Sequence, residues 1–365
     1  MDFCPPATMF LFKKNQNRYV TGALTKSVRW SILSALNQER TDKMLKVAIA
    51  GFRHDHILEL VNKTNEHPEL ELAGCAESDA AAKAKTVERG IAVEWNDPME
   101  MIEKLPCDIV GIGDVYAKRG SIAIAALKAG KHVIADKPLC TSLDELAEIR
   151  KLAGEKGLSV GLMLPLWSSP NAQSARNLIA EGKIGEVQSV IFTGQHPLNY
   201  GTRADWYWQE NMQGGTINDI APHGIDLVEY ITGMKFADTV CARCWNDHFP
   251  EVPHFKNGSQ FMATLENGAG VMADVSYFAC HFGQPSYWRF TVWGTEGWLE
   301  FVPAEPGVKF TDKNTPAKMV YPENSGTDYL QEFLAEINGK QPEYFNTRHI
   351  LDMTETTLKI QAAAK

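Results

Sequence analysis

The chain of 365 residues contains no run of 18 consecutive apolar residues, so the sequence offers no candidate membrane-spanning helix. It also lacks a surplus of positive charge: 36 Lys and Arg stand against 45 Asp and Glu, a net charge of −9. So acidic a chain is poorly suited to grip a phosphate backbone, which argues against nucleic acid as a partner. Paired cysteines are missing as well. There are seven, an odd number scattered over the whole length. That is no disulfide framework and fits a reducing, cytoplasmic setting. Internal repeats and low-complexity tracts are absent. What remains is an ordinary globular balance, 44% hydrophobic and 22% charged, long enough for two domains.

Residues 1–43 differ from the rest. Lys13, Lys14, Arg18, Lys26, Arg29, Arg40 and Lys43 face only Asp2, Glu39 and Asp42. No sustained apolar h-region and no small-residue cleavage pattern accompany them, so a secretion signal is not expected. A mitochondrial transit peptide is the alternative, and residues 27–37 suit one short amphipathic helix. The preferred reading is a flexible arm or an over-called start, because Met44 directly precedes LKVAIAGF.

From residue 44 to about Pro165 short apolar runs alternate with helical spacing. Strands are expected at 45–50, 70–76, 107–112, 132–135 and 158–163, with helices at 55–66, 79–89, 120–129 and 143–156. Apolar strands separated by amphipathic helices imply a parallel sheet covered on both faces, hence a doubly wound domain. Residues 166–365 change character. Strand-like stretches at 187–195, 238–246, 260–266, 269–278, 287–294 and 298–302 follow one another, with helices at 171–181, 219–232 and 348–364. Asn267-Gly268 is a hairpin signal, and Gly294-Thr295-Glu296-Gly297 reads as another turn. The expected second domain is α/β with an open, mainly antiparallel sheet.

Parallel sheets bind ligands beyond the carboxyl ends of their strands. The first such end reads Gly51-Phe52-Arg53-His54-Asp55-His56. A dinucleotide turn would read G-x-G-x-x-G, but Arg53 and His56 replace the second and third glycines. Arg53 crowds the backbone approach to a pyrophosphate yet offers it a guanidinium, and the following helix N-terminus still supplies N–H groups. The alternative is a turn that binds nothing. Glu77 lies 21 positions after His56, near the spacing of a ribose-binding acid. It favours NAD over NADP, with NADP left open because Arg53 could meet a 2′-phosphate. His54-x-His56 could share a metal only if extended, so phosphate contacts or exposed turn histidines are expected there and no metal site is assigned.

Asp136-Lys137-Pro138 closes the fourth strand and aims a lysine at the interdomain cleft. A second signal is the stretch from Gly214 to Asp226, in which Asp219, His223 and Asp226 share one helical face. A histidine there suits proton transfer from an alcohol, with a neighbouring carboxylate to orient it. The same spacing could also bind zinc or manganese. The Gly214-Gly215 pair would let the backbone turn tightly beneath a ligand. Cys241-x-x-Cys244 falls in a strand, where its side chains face opposite ways, and is not read as a metal or redox site.

LKVAIAGF, Glu77, AALKAGKHVIADKPL, LIAEGKIGEVQSV, RADWYW and GGTINDIAPHGIDLVEYITG together resemble the Gfo/Idh/MocA oxidoreductases from residue 44 to the C-terminal helix. The resemblance implies a Rossmann domain joined to an open-sheet α/β domain, with NAD(P)-dependent chemistry on sugars or polyols. It carries Lys137 over as the lysine of the family's E-K-P motif, with Asp136 replacing the glutamate. Asp219 and His223 carry over as the substrate-binding and acid/base pair. Asp114, in the turn after the third strand, would face the dinucleotide, although this turn departs from the family's Thr-Pro-Asn. Residues 196–208 are expected to line the substrate side, where Arg203, Trp206 and Trp208 suit a polyol or sugar acid through hydrogen bonds and stacking. Two other function classes stay open: an NAD-retaining lyase or glycosidase, and a non-catalytic sugar-binding relative. The family's habit of pairing through the sheet implies a dimer or tetramer, with Val271, Val275, Tyr277, Phe290, Val292 and Trp298 as expected interface residues.

Overall fold

The computed structural model describes residues 44–280, 288–322 and 327–365; the N-terminal extension of residues 1–43 lies outside the described residues. Five parallel strands, β1 (Leu45–Ala50), β2 (Leu70–Ala76), β3 (Ile109–Ile112), β4 (His132–Asp136) and β5 (Val160–Met163), form one sheet in the order β2-β1-β3-β4-β5. Their residues are almost wholly buried, as expected of strands covered on both faces. Helices α1 (Ile57–Glu66), α2 (Ala80–Glu88), α3 (Pro98–Lys104), α4 (Tyr116–Lys128) and α5 (Leu143–Lys156) cover the sheet. Local chemistry sets their ends. The Asp79 side chain caps α2, Ser142 caps α5, and Gly157 ends α5 in the left-handed conformation at φ 63°. Two differences from the sequence reading stand out. Helix α4 begins four residues earlier than expected, because Tyr116 and Arg119 are buried rather than left in a loop. Helix α3 is too short to show periodicity and is marked only by the Asp97 cap and Pro98.

After α6 (Pro170–Ala180) comes an eight-stranded sheet in the order β13-β12-β11-β10-β6-β9-β8-β7. Its strands are β6 (Val187–Gly194), β7 (Phe236–Trp245), β8 (Gly258–Leu265), β9 (Gly270–Asp274), β10 (Trp288–Gly294), β11 (Gly297–Phe301), β12 (Val308–Asp312) and β13 (Thr315–Val320). All pairs are antiparallel except β6 with β9. Asn267-Gly268 makes the β8–β9 hairpin, with Gly268 at φ 85°. Helices α7 (Thr216–Thr232), α8 (Tyr329–Ile337) and α9 (Thr347–Ala363) complete the order; α8, β12 and β13 were not expected.

The interface expectation is corrected for five of its six residues. Val271, Val275, Tyr277, Phe290 and Val292 are buried within this chain. The outward positions of that sheet are their neighbours, Val240, Met262, Met272 and Trp293, which are exposed. The period of two places adjacent residues on opposite faces, and α7 packs on the same sheet against β6, β7 and β8.

Candidate active site

The strand order reverses between β1 and β3, and the turns following those strands interlock there. Arg53 and His54 both donate their backbone N–H to the Gly113 carbonyl. Gly51 has φ 88°, and a Cβ on it would lie 2.6 Å from that of Asp114. This glycine therefore serves the crossing of two turns. Asp114 itself is buried and accepts the N–H of Val115 through Oδ1. It stands behind the turn, which corrects its expected role facing a cofactor. Glu77 is likewise turned inward. Its carboxylate accepts the N–H of Phe52 at 2.6 Å and of Asp79 at 2.7 Å. Burial pushes its carboxyl pKa up despite those bonds. The acid on the rim is instead Asp79, paired with Arg53 at 3.5 Å.

The His54 side chain is largely buried and that of His56 half-exposed, yet both face Asp136. His54 Nδ1 lies 2.6 Å from Asp136 Oδ2, and His56 Nδ1 lies 3.4 Å from Asp136 Oδ1. Burial lowers the His54 pKa to about 4 against the opposing pull of Asp136. Asp136 is buried, and burial alone would raise its pKa. Arg119 and His54 more than offset this and hold it well below the usual carboxylate range. Arg119 is fully buried, bonding Asp136 Oδ2 at 2.9 Å and the carbonyls of Asp114, Asp136, Lys137 and Pro138. Sequence reasoning missed Arg119, since one basic residue on a helix carries no distinguishing signal.

Lys137 follows Asp136, and its Nζ reaches α7, donating to Asp219 Oδ1 at 2.8 Å and to the Asp219 carbonyl at 2.9 Å. The other Asp219 oxygen accepts the hydroxyls of Tyr207 and Tyr277. Burial would raise the Asp219 pKa, but Lys137 and the two tyrosines hold it well below the usual range. Asp219 thus positions Lys137. It makes no hydrogen bond to His223, which corrects the expected Asp–His pairing. His223 is 8% exposed, with Nδ1 buried and unbonded, and its ring meets Trp288 edge-on at 5.7 Å. Burial and the Lys137 charge hold its pKa well below the usual value, so the ring is neutral. Asp226 is bonded elsewhere, to His349 and Tyr344. The Gly214-Gly215 pair admits protein side chains: a Cβ would meet Thr141 at 2.3 Å and Gln361 at 2.2 Å.

A cavity of about 330 Å³ opens over this centre, lined among others by His54, His56, Lys137, His196, Arg203 and Asp219. Arg203 stacks on Tyr207 at 4.5 Å and donates to the carbonyls of Pro197 and Leu198. Trp206 lines the cavity and donates its Nε1–H to the Arg53 carbonyl. Trp208 does not line it. It packs among Tyr200, Phe249 and Phe255, which corrects its expected substrate role. His196, the first residue of the stretch 196–208 expected on the substrate side, lines it as well.

A second cavity of about 450 Å³ adjoins the first, shares Arg53, Asp55, Lys85, Ala204 and Trp206 with it, and extends to Asp79, Ala81 and Ala82 beyond β2. Helix α1 opens at His56 with no side-chain cap. An elongated groove across the strand ends, a helix N-terminus without a side-chain cap and an arginine suit a dinucleotide, so the residues present fit that cofactor.

Comparison with known proteins agrees with this geometry. Residues 45–163 match the family profile described as the oxidoreductase family, NAD-binding Rossmann fold, and residues 172–300 match the GFO/IDH/MocA C-terminal domain. A levoglucosan dehydrogenase of Pseudarthrobacter phenanthrenivorans is 25% identical over 62% of this chain and 63% of its own. The chain spans about half to two thirds of the length of the curated relatives it matches. Among solved structures, an oxidoreductase from Erwinia carotovora atroseptica superposes with TM-score 0.79 at 25% identity, covering 88% of this chain and 99% of that one. A levoglucosan dehydrogenase in complex with NADH and levoglucosan gives TM-score 0.73 at 22% identity, covering 88% and 96%. The chain belongs to the Gfo/Idh/MocA family of NAD-binding Rossmann-fold oxidoreductases.

Proposed function

We propose that this protein is an NAD-dependent dehydrogenase or reductase acting on a hydroxyl or carbonyl carbon of a sugar, polyol or sugar acid. The observation that carries this reading is the buried Lys137–Asp219 pair lining the cavity, with the neutral His223 one turn along the same helix from Asp219. When bound, the nicotinamide accepts or returns hydride at the substrate carbon. Arg53, Asp79, Lys85 and the first turn of α1 would hold the cofactor. NAD is preferred to NADP because Asp79 stands on the rim beside Arg53 and repels a 2′-phosphate.

Lys137 donates a hydrogen bond to the substrate oxygen, and Asp219 and the two tyrosines fix its direction. His223, neutral near pH 7, takes the proton from a hydroxyl or returns it to a carbonyl. Arg203 has no carboxylate partner among the described ion pairs, so it offers its remaining N–H groups to hydroxyls or to a substrate carboxylate. His223→Ala should lower kcat by about 10²–10⁴-fold. Calorimetry should show NAD binding within about threefold of the parent protein; unchanged turnover would sink the assignment.

We also place the protein in the cytoplasm as a homodimer or homotetramer. The six described cysteines are free thiols, and among the described residues no helix is long and apolar enough to cross a membrane. The exposed Val240, Met262, Met272 and Trp293 supply an apolar sheet face for self-association. Light scattering tests it: Met262→Lys with Met272→Lys should shift the mass to that of a monomer.

A further inference from the structure

We propose that His54, His56 and Asp136 form a binding site for a divalent first-row transition-metal ion at the floor of the cleft. The proposal does not rest on the hydride-transfer reading.

Three observations carry it. First, the turn after β1 and the end of β4 bring two imidazoles and a carboxylate together, with one ligand atom from each all within 4.8 Å of one another. The rings of His54 and His56 lie 4.3 Å apart between centroids, so the H-x-H pair converges although the segment is not an extended strand. Second, Asp136 is 0% exposed, and its Oδ1 accepts no well-formed hydrogen bond. A buried carboxylate oxygen so loosely paired is costly, and an ion between it and the facing imidazole would relieve that cost. That oxygen faces His56 Nδ1 at 3.4 Å. Third, the other oxygen is already fixed. Arg119 bonds Oδ2 and grips the carbonyls around it, as outer partners of a ligating carboxylate do.

The donor set selects the class of ion. Two imidazoles and one carboxylate suit zinc, iron or manganese rather than calcium or magnesium, which prefer oxygen alone. Three protein ligands leave coordination positions open, the pattern of a site that takes water or substrate. Those positions face the cavity, because His54 and His56 both line it. The nearby cation Lys137 is matched by Asp219 and does not need Asp136 as its partner. An ion here would take a substrate oxygen beside Lys137.

The test is zinc binding to the metal-stripped full-length protein by calorimetry, followed by cobalt substitution read by visible absorption. One equivalent of zinc should bind. The double variant His54→Ala, His56→Ala should weaken it by at least about a hundredfold, since even outer-shell losses cost ten- to a hundredfold. His248→Ala, at a ring that is 93% exposed, should change nothing and controls for adventitious surface binding. Should the double variant unfold, His56→Ala alone on its half-exposed ring gives the same comparison. Absence of zinc binding in the parent protein, or equal binding by parent and histidine variants, overturns the proposal. Asp136→Asn is a poor probe because it strips the buried Arg119 of its charge partner.

Discussion

Asp219 and Asp226 stand seven residues apart on α7, and their surroundings read almost alike. Each is buried, each accepts from tyrosine, and each faces a basic side chain: Lys137 for Asp219, His349 for Asp226. The second cluster is even richer in ionisable groups, because Glu229 and Lys235 join His349 there. What differs is what lies beyond. Asp219 meets the end of β4 and lines a cavity, whereas Asp226 is closed over by Tyr344 and α9. Residue chemistry alone therefore does not separate a reactive centre from a structural clasp. Access from the strand ends does.

The comparison can be broken most forcefully at Lys137. Lys137→Met should reduce turnover by about 10³-fold, the middle of the range for a positioned proton-handling group. It should also cost about 3–5 kcal/mol of stability, because Asp219 is left buried and unpaired. Steady-state kinetics with a thermal melt separates the two effects, and a variant with intact kcat would place Lys137 with the clasp instead. His349→Leu is the mirror experiment. It should cost about 3 kcal/mol in urea unfolding by exposing Asp226 and Glu229 to each other, while kcat/KM stays within about twofold. A large loss of kcat/KM in folded protein would erase the distinction between the two ends of α7.

A smaller effect sharpens the contrast through pH. Burial and the Lys137 charge lower the His196 pKa to about 3. Its ordinary value is about 6.5. Below that value the unfolded chain binds a proton that the folded chain refuses, so stability falls with acidification. Between pH 6.5 and pH 5 the loss should be about 2 kcal/mol. His54 and His223 act in the same direction. His196→Asn should flatten this acid limb in denaturant titrations at the two pH values. An unchanged slope would show that the cavity side does not hold its histidines neutral.

How far the site was legible follows from where each residue's partner lies in the chain. Lys137, Asp219 and His223 stand in dense local motifs; Lys137 and Asp219 line one cavity, whereas His223 is not among its lining residues, and Asp219 serves Lys137 rather than His223. Arg203 and Trp206 were readable as substrate-side residues from their chemistry and reach the cavity. Trp208, two positions on, points into an aromatic cluster, because the short helical turn Asp205–Trp208 rotates it away. Glu77 and Asp114 were recognisable by position after their strands, but both carboxylates turn inward, Glu77 to the N–H of Phe52 and Asp114 to that of Val115. Arg119 carries no sequence signal, since its importance comes from a partner far along the chain, Asp136.

By itself the sequence determined the alternation of buried strands and amphipathic helices, the hairpin at Asn267-Gly268 and the family. These are short-range properties, set by periodicity, capping and turn chemistry within a few residues. Only the tertiary structure decided which face of the large sheet is open, which aspartate of α7 meets the cavity, and that His54 and His56 converge on Asp136. A register of two and a helical turn of 3.6 leave the facing partner unspecified. The packing of strand ends against α7 specifies it, and with it the charge that each buried group feels.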